Sequence, residues 1–166
     1  KATQFGERLQ SDTSGRTRTK SLSGSQQATF TVCEATRFVF AKPVRVLPEV
    51  FDAIKYIIEV EFHQRTDHKV KFFRSDGGGE YCNARMDEML RLHDIIRETT
   101  CAGTSFQNGL PESIIGIIFA MIRTYLYDSK MPTVFWGEAL AMAVYVYNRL
   151  PGTDGLSSAG TVDNHE

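Results

Sequence analysis

Apolar residues in this 166-residue chain change their spacing partway along, and that change limits the folds available. From Ala28 to Glu34, "ATFTVCE" alternates and is rich in β-branched side chains, the period-two pattern of a strand. "RFVFAKPV" reads as a second strand stopped by Pro43, and the short gap between the two predicts an antiparallel hairpin. From Leu47 to Phe62 the period becomes helical, with Val50, Phe51, Ile54, Ile57, Ile58 and Phe62 on one side and charges between them. "KVKFFRS" then predicts a buried strand and "IIRET" a short one. Between them Ala84 to His93 predicts a short helix, with Met86, Met89 and Leu90 inward. Pro111 opens a helix that runs to about Asp128, since proline at the first helical position loses no hydrogen bond. "MPTVFWGEALAMAVYVYNRL" predicts one more helix between Pro132 and Pro151. Residues 1–27 read as loop with a brief strand ending near Asp12, and residues 101–109 as a polar loop. Strands that come first and then interleave with helices predict an α/β or α+β layer with a mixed sheet.

Length suits one compact domain. The longest apolar runs, "IIGIIFAMI" and "LAMAVYVY", fall well short of the roughly 20 residues of a membrane span, so no membrane partner is expected. The polar, charged N-terminus shows no signal peptide. Cys33, Cys82 and Cys101 are odd in number and lack CxxC spacing, which points to a reducing, intracellular compartment, nuclear or cytoplasmic. His63 and His68 have no second ligand pair nearby. The formal net charge of −1 weighs against strong binding of nucleic acid by this segment alone. Its N-terminal twenty residues are locally basic, through Lys1, Arg8, Arg16, Arg18 and Lys20, but too few charges gather there to name a partner.

Three acidic residues stand at element ends. Asp12 closes the first strand, Asp76 closes "KVKFFRS", and Glu112 sits in the first turn of the helix that Pro111 opens. Each has a plain structural explanation: a cap or turn for Asp12, a Gly-rich turn for Asp76, the helix dipole for Glu112. Together they match another need. Mg²⁺ takes a few carboxylates and fills its remaining positions with water and phosphate oxygens. Two such ions about 4 Å apart can clamp both oxygens exchanged at a phosphodiester. Thirty-five residues separate Asp76 from Glu112.

With the words around those acids, the chain resembles the integrase catalytic core of copia-type retrotransposons, relatives of retroviral integrases, whose pattern is Asp, Asp, 35 residues, Glu. "SDTSGRTRTKSLSG" looks like the family's first-aspartate segment, with Asp12, Gly15, Ser21, Leu22 and Gly24 in place. "RFVFAKPV" looks like the strand after its "DDYSR"; "FRSDGGGEY" is similar to "RSDNGGEF", and "TSFQNGLPE" to "TPQQNGVAE". "MPTVFWGEALAMAVYVYNRLP" is similar to "LPxxFWxEAxxxAxYxxNRxP". The resemblance covers residues 9–151, leaving residues 1–8 as a flexible lead and 152–166 as a disordered tail. It implies an α/β, ribonuclease-H-like fold with a mixed five-stranded sheet flanked by helices. It implies Asp12, Asp76 and Glu112 as catalytic residues and as ligands of two Mg²⁺ (or Mn²⁺) ions. The implied reaction trims a DNA 3′ end and then joins it to a target strand. Retrotransposon ends and target DNA would be the partners, with a homo-oligomer as the working form, and Gln107, Asn108 and Arg123 as candidate DNA contacts.

Departures from that pattern bear on the same site. Where the family has a basic run like "RKNRTL" after the glutamate, this chain has "SIIGIIF". On a helix, Ile115, Gly116, Phe119 and Arg123 share the face of Glu112, and only Arg123 is cationic. Phosphate neutralisation supplies most non-specific DNA affinity, so that face is expected to grip DNA poorly. The apolar run has two readings, a protein contact or core packing. Arg16 replaces the family's proline, and Cys33 and Glu34 replace its Asp-Asp pair. No zinc-binding N-terminal domain or C-terminal DNA-binding region is seen, so a decayed or truncated element is expected. The alternatives are an inert nucleic-acid-binding or protein-interaction domain of the same fold, a nuclease cutting RNA in hybrids, and a structural α/β domain.

Overall fold

The computed structural model describes residues 2–64, 68–99, 109–151 and 157–163. Five strands form one mixed sheet in the order β3-β2-β1-β4-β5. They are β1 (Arg8–Thr13), β2 (Gln27–Cys33), β3 (Val39–Val44), β4 (Phe72–Ser75) and β5 (Ile96–Thr99). The predicted hairpin is β2 against β3, antiparallel. β1 adds antiparallel to β2, then β4 and β5 continue parallel. β3 runs through Pro43 instead of stopping there, because it is the edge strand and the absent N–H breaks no ladder.

Helices cover both faces. On one lie α1 (Pro48–Tyr56) and α2 (Ala84–Leu92), whose Val50, Phe51, Ile54, Met86, Met89 and Leu90 meet Leu9 and Phe73 from the sheet. On the other lie α3 (Gly109–Asp128) and α4 (Trp136–Tyr147), over Ala28, Phe30 and Val32 of β2. β2 is therefore buried on both sides, which its unbroken run of buried residues reflects.

Two predicted helices differ in detail. The helix expected over Leu47 to Phe62 is α-helical only to Tyr56 and continues as a π-helical turn over Ile57–Phe62. That wider turn aims Ile57, Ile58 and Phe62 all inward. Phe62 then packs so closely on Gly6 that a Cβ there would lie 2.6 Å from its ring, and Gly6 has φ +76. The last predicted helix begins with a 3₁₀ turn, Thr133–Phe135, before α4. Past α4, buried Asn148 donates to the Val39 carbonyl and accepts from its N–H, both at 2.9 Å, which ties the helix end to β3. Within the segment expected to be disordered, Ser158–Asp163 forms a short helix, α5, whose Gly160 N–H donates to Ser157 Oγ.

The run after Glu112 resolves mainly into core. Ile114, Ile118 and Ile122 are buried, and Ile115 and Phe119 pack partly against the same cluster. α3 is nevertheless apolar all round. Its 20 residues, mean hydropathy 1.3, pass a length-and-composition test for crossing a membrane, although the shorter apolar runs in the sequence did not suggest one. In this fold Ile114, Ile118 and Ile122 pack it against β2 and α4, and its other side is exposed.

Candidate active site

Asp12 and Asp76 are brought side by side by strand register. β1 and β4 are parallel, with Gln10 opposite Arg74. Two residues further on, Asp12 lies near the end of β1 and Asp76 just past the end of β4, at the same ends of strands that neighbour each other in the sheet. Two steps along a strand also return to the same face, the one α3 covers. Glu112, exposed, occupies the first turn of α3. The electrostatics at Asp12 combine burial with neighbouring charge. Burial pushes the half-buried Asp12 carboxyl up to about 6, its Thr13 hydrogen bond opposes this, and the charges of Asp76, Glu112 and Glu80 raise it further.

Backbone amides fix both aspartates. Thr13 N–H donates to Asp12 Oδ1 at 2.8 Å, and Gly78 N–H donates to Asp76 Oδ1 at 3.0 Å. The three glycines after Asp76 are not there for left-handed backbone, since none has a positive φ. Gly78 sits close to both acids: a Cβ would lie 2.6 Å from Glu80 Oε2 and 3.0 Å from Asp76 Oδ1, so a larger residue would displace the Glu80 side chain. Gly77 and Gly79 face open space. The turn reading of "SDGGGE" holds, with the Gly78 N–H closing it onto the Asp76 carboxylate.

Tyr81 was missed as a supporting residue. It is fully buried, and its hydroxyl lies 2.8 Å from Thr13 Oγ1 and 3.5 Å from Ser11 and Thr29 oxygens. Burial pushes that phenol up to about 12, so it stays protonated, a donor as well as an acceptor. It joins the segment carrying Asp76 to the strand carrying Asp12. The only sequence signal was an aromatic residue after a Gly-rich turn.

Hard oxygen donors of this kind suit Mg²⁺ or Mn²⁺. As placed, however, no three His, Cys, Asp or Glu side chains among the described residues form a ready group around one ion. Gln107 and Asn108 lie outside the described residues. Arg123 is exposed, three helical turns or about 16 Å from Glu112 along the same face. His63 stacks on His93, and His68 on Phe5, so the two do not converge. Glu34, where the family has aspartate, is occupied by Arg8, Gln10 and the Ala2 amide.

Comparison with known proteins agrees with the fold. The chain is 33% identical over 142 residues, 85% of its length, to the retrovirus-related Pol polyprotein from transposon TNT 1-94 of Nicotiana tabacum. It is 32% identical over 119 residues to those from transposons RE1 and RE2 of Arabidopsis thaliana. The chain spans only 10%, 8% and 8% of these proteins. Among solved structures it superposes on a chain of the simian T-cell lymphotropic virus intasome in complex with PP2A regulatory subunit B56 gamma. That match has TM-score 0.76 and 17% identity, over 95% of this chain and 54% of that one. It also superposes on the catalytic core domain of BIV integrase, with TM-score 0.71 and 16% identity, over 96% of both. No family model matches.

Proposed function

From a chain that matches the integrase core of retrotransposon Pol polyproteins and has the ribonuclease-H-like fold of that core, we infer a part in DNA integration as a metal-dependent polynucleotidyl transferase. One observation supports the reading most: β1 and β4 run parallel in a register that carries Asp12 and Asp76 to neighbouring strand ends, and Asp12, whose pKa burial raises to about 6, also feels the charges of Asp76 and Glu112. Asp12 and Asp76 would hold or bridge two Mg²⁺ or Mn²⁺ ions, and Glu112 would complete the second. Such ions, when bound, supply positive charge at a phosphodiester and ease deprotonation of water or a 3′-hydroxyl.

This chain's own residues prepare the place. Thr13 and Gly78 amides each hold one oxygen of an aspartate, which leaves its other oxygen for a ligand. Tyr81 keeps β1 and the Asp76 turn in register. Glu112 stands on a helix start, where a carboxylate is favoured by the dipole and can swing toward the pair. DNA ends, target DNA and further copies of the chain are the partners this reading assigns, and Gln107, Asn108 and Arg123 remain its candidate DNA contacts.

The test is Mg²⁺- or Mn²⁺-dependent strand transfer on short DNA duplexes by the whole chain. Asp76→Asn and Glu112→Gln should each drop activity to background while leaving the fold intact by circular dichroism. A folded parent with no transfer would favour the inert-domain reading.

A further inference from the structure

We propose that the β1–β2 connection, residues 14–26, is a phosphate-binding platform for duplex DNA beside the carboxylates. It deepens the integration reading, from which it takes DNA as the polyanion. Between Asp12 and Glu34 the chain has no acidic residue but has Arg16, Arg18 and Lys20. All three are exposed, and among the described residues none forms an ion pair. Several other cations are already engaged, Arg8 by Glu34 and Glu98, Arg45 by Glu49, Arg74 by Glu98 and Arg97 by Asp87, and the further ones without an ion pair among the described residues, such as Arg37, Lys42 and Lys130, are scattered along the chain. These three cations therefore face solvent in a chain whose other charged residues, 16 basic and 20 acidic, are net acidic.

The connection is held rigidly. Ser14 N–H donates to the Ala28 carbonyl at 2.8 Å, Thr17 N–H to Gln26 at 2.7 Å and Ser21 N–H to Ser25 at 2.8 Å. Buried Trp136 reaches over from α4, its Nε1–H donating to the Thr19 carbonyl at 2.9 Å. Leu22 N–H donates to Val134 O at 3.1 Å. Thr17 spends its hydroxyl on Gln26 and Thr19 carbonyls. Thr17 and the Thr19 carbonyl are thus tied to the protein, while Arg16, Arg18 and Lys20 between and beside them are exposed. Successive cations lie at most about 7 Å apart along the chain, and Arg16 at most about 14 Å from Asp12. Double-stranded DNA offers about one charge per 1.7 Å of axis, so a duplex laid along the platform meets all three and passes the carboxylates. Preorganised cations lose little entropy on binding. They also stand in for the cations missing from α3, whose Glu112 face offers only Arg123.

The experiment follows binding of a short fluorescent DNA duplex by anisotropy between roughly 50 and 200 mM salt. It compares the parent chain, the triple variant Arg16→Gln, Arg18→Gln, Lys20→Gln, and a charge-matched control, Lys55→Gln, Lys71→Gln, Arg91→Gln. Each phosphate contact contributes about 0.9 to the slope of log affinity against log salt. The platform variant should lose about 2.7 from that slope, equal to about 40-fold of affinity across the range, and the control should keep the parent slope. Single Arg16→Gln and Arg18→Gln variants should each lose about 0.9. An unchanged slope in the variants, an equal loss in the control, or no duplex binding by the parent overturns the proposal. Strand transfer on the same preparations separates the two readings: a chain that binds DNA through this loop yet transfers nothing rejects the transferase and keeps the platform.

Discussion

A methyl group added at Gly78 would sit 2.6 Å from Glu80 Oε2, whereas one added at Gly116 of α3 would meet nothing within 4 Å. Both glycines flank the same carboxylates. Around the turn after β4, burial, with the charges of Asp76, Glu112 and Glu80 adding to it, pushes the Asp12 carboxyl up to about 6. Along the outward side of α3, Gly116 and Ile117 are exposed and the residue types are nearly free. Stability alone would not crowd carboxylates, so the first region reads as a site kept for chemistry. The second reads as a surface where only the inward stripe is specified.

The largest expected effect separates the two sides of α3. Ile118 is fully buried and Ile117 is 45% exposed. Ile118→Ala should cost about 3 kcal/mol, the transfer energy plus a cavity, and Ile117→Ala about 0.5 kcal/mol. Urea unfolding of both variants decides it. Equal costs would mean that the outer side of α3 is covered in solution and that the contrast drawn here is false.

Asp12→Asn probes the other region, with the opposite sign. The folded carboxyl titrates near 6 and the unfolded one near 3.8. Between those values the folded chain keeps a proton that the unfolded chain has released, so stability falls as pH rises through that window. Two pKa units would be about 3 kcal/mol, and partial exposure of the group reduces this to about 1–2 kcal/mol. Asp12→Asn should therefore stabilise the chain by about that much at pH 7 and by almost nothing near pH 3.5. Denaturant midpoints at the two pH values provide the check. Mg²⁺ should raise the parent's midpoint more than the variant's, because bound metal relieves the repulsion. A variant less stable than the parent at pH 7 would show that the folded chain does not penalise a charged Asp12.

The two regions were also unequally legible. Local alternation was enough for the β2–β3 hairpin, and a proline marked the start of α3 to within two residues. Asp12 and Asp76 could be assigned to strand ends, but their adjacency depends on β1 pairing parallel with β4 across some sixty residues, which no local pattern encodes. Tyr81 was overlooked for a related reason: its role rests on a hydroxyl meeting Thr13 from a distant segment. The run from Ser113 to Phe119 left core and contact surface open because a helix apolar on every side carries little directional signal. Packing supplies the missing direction, with Ile114, Ile118 and Ile122 at successive four-residue steps against the sheet. The π-helical turn was likewise invisible, since Ile57, Ile58 and Phe62 satisfy a helical period and only the fit onto Gly6 demands the wider turn.

Gly116→Ala gives the smallest effect and the sharpest reading of how free the outer surface of α3 is. Glycine in a helix interior is about 1 kcal/mol worse than alanine, chiefly because the unfolded chain has more conformations to lose. The added methyl at Gly116 meets no neighbour outside its own helix, so no packing term offsets the gain. The expected result is a stabilisation of about 0.5–1 kcal/mol with strand transfer unchanged, measured by thermal unfolding and by the DNA-joining assay on one preparation. A gain in stability with lost activity would place DNA, or another chain, within a methyl's reach of Gly116. The outer side of α3 would then belong to the working site despite its apolar sequence, and the difference between the two glycines would be one of partner and not of constraint.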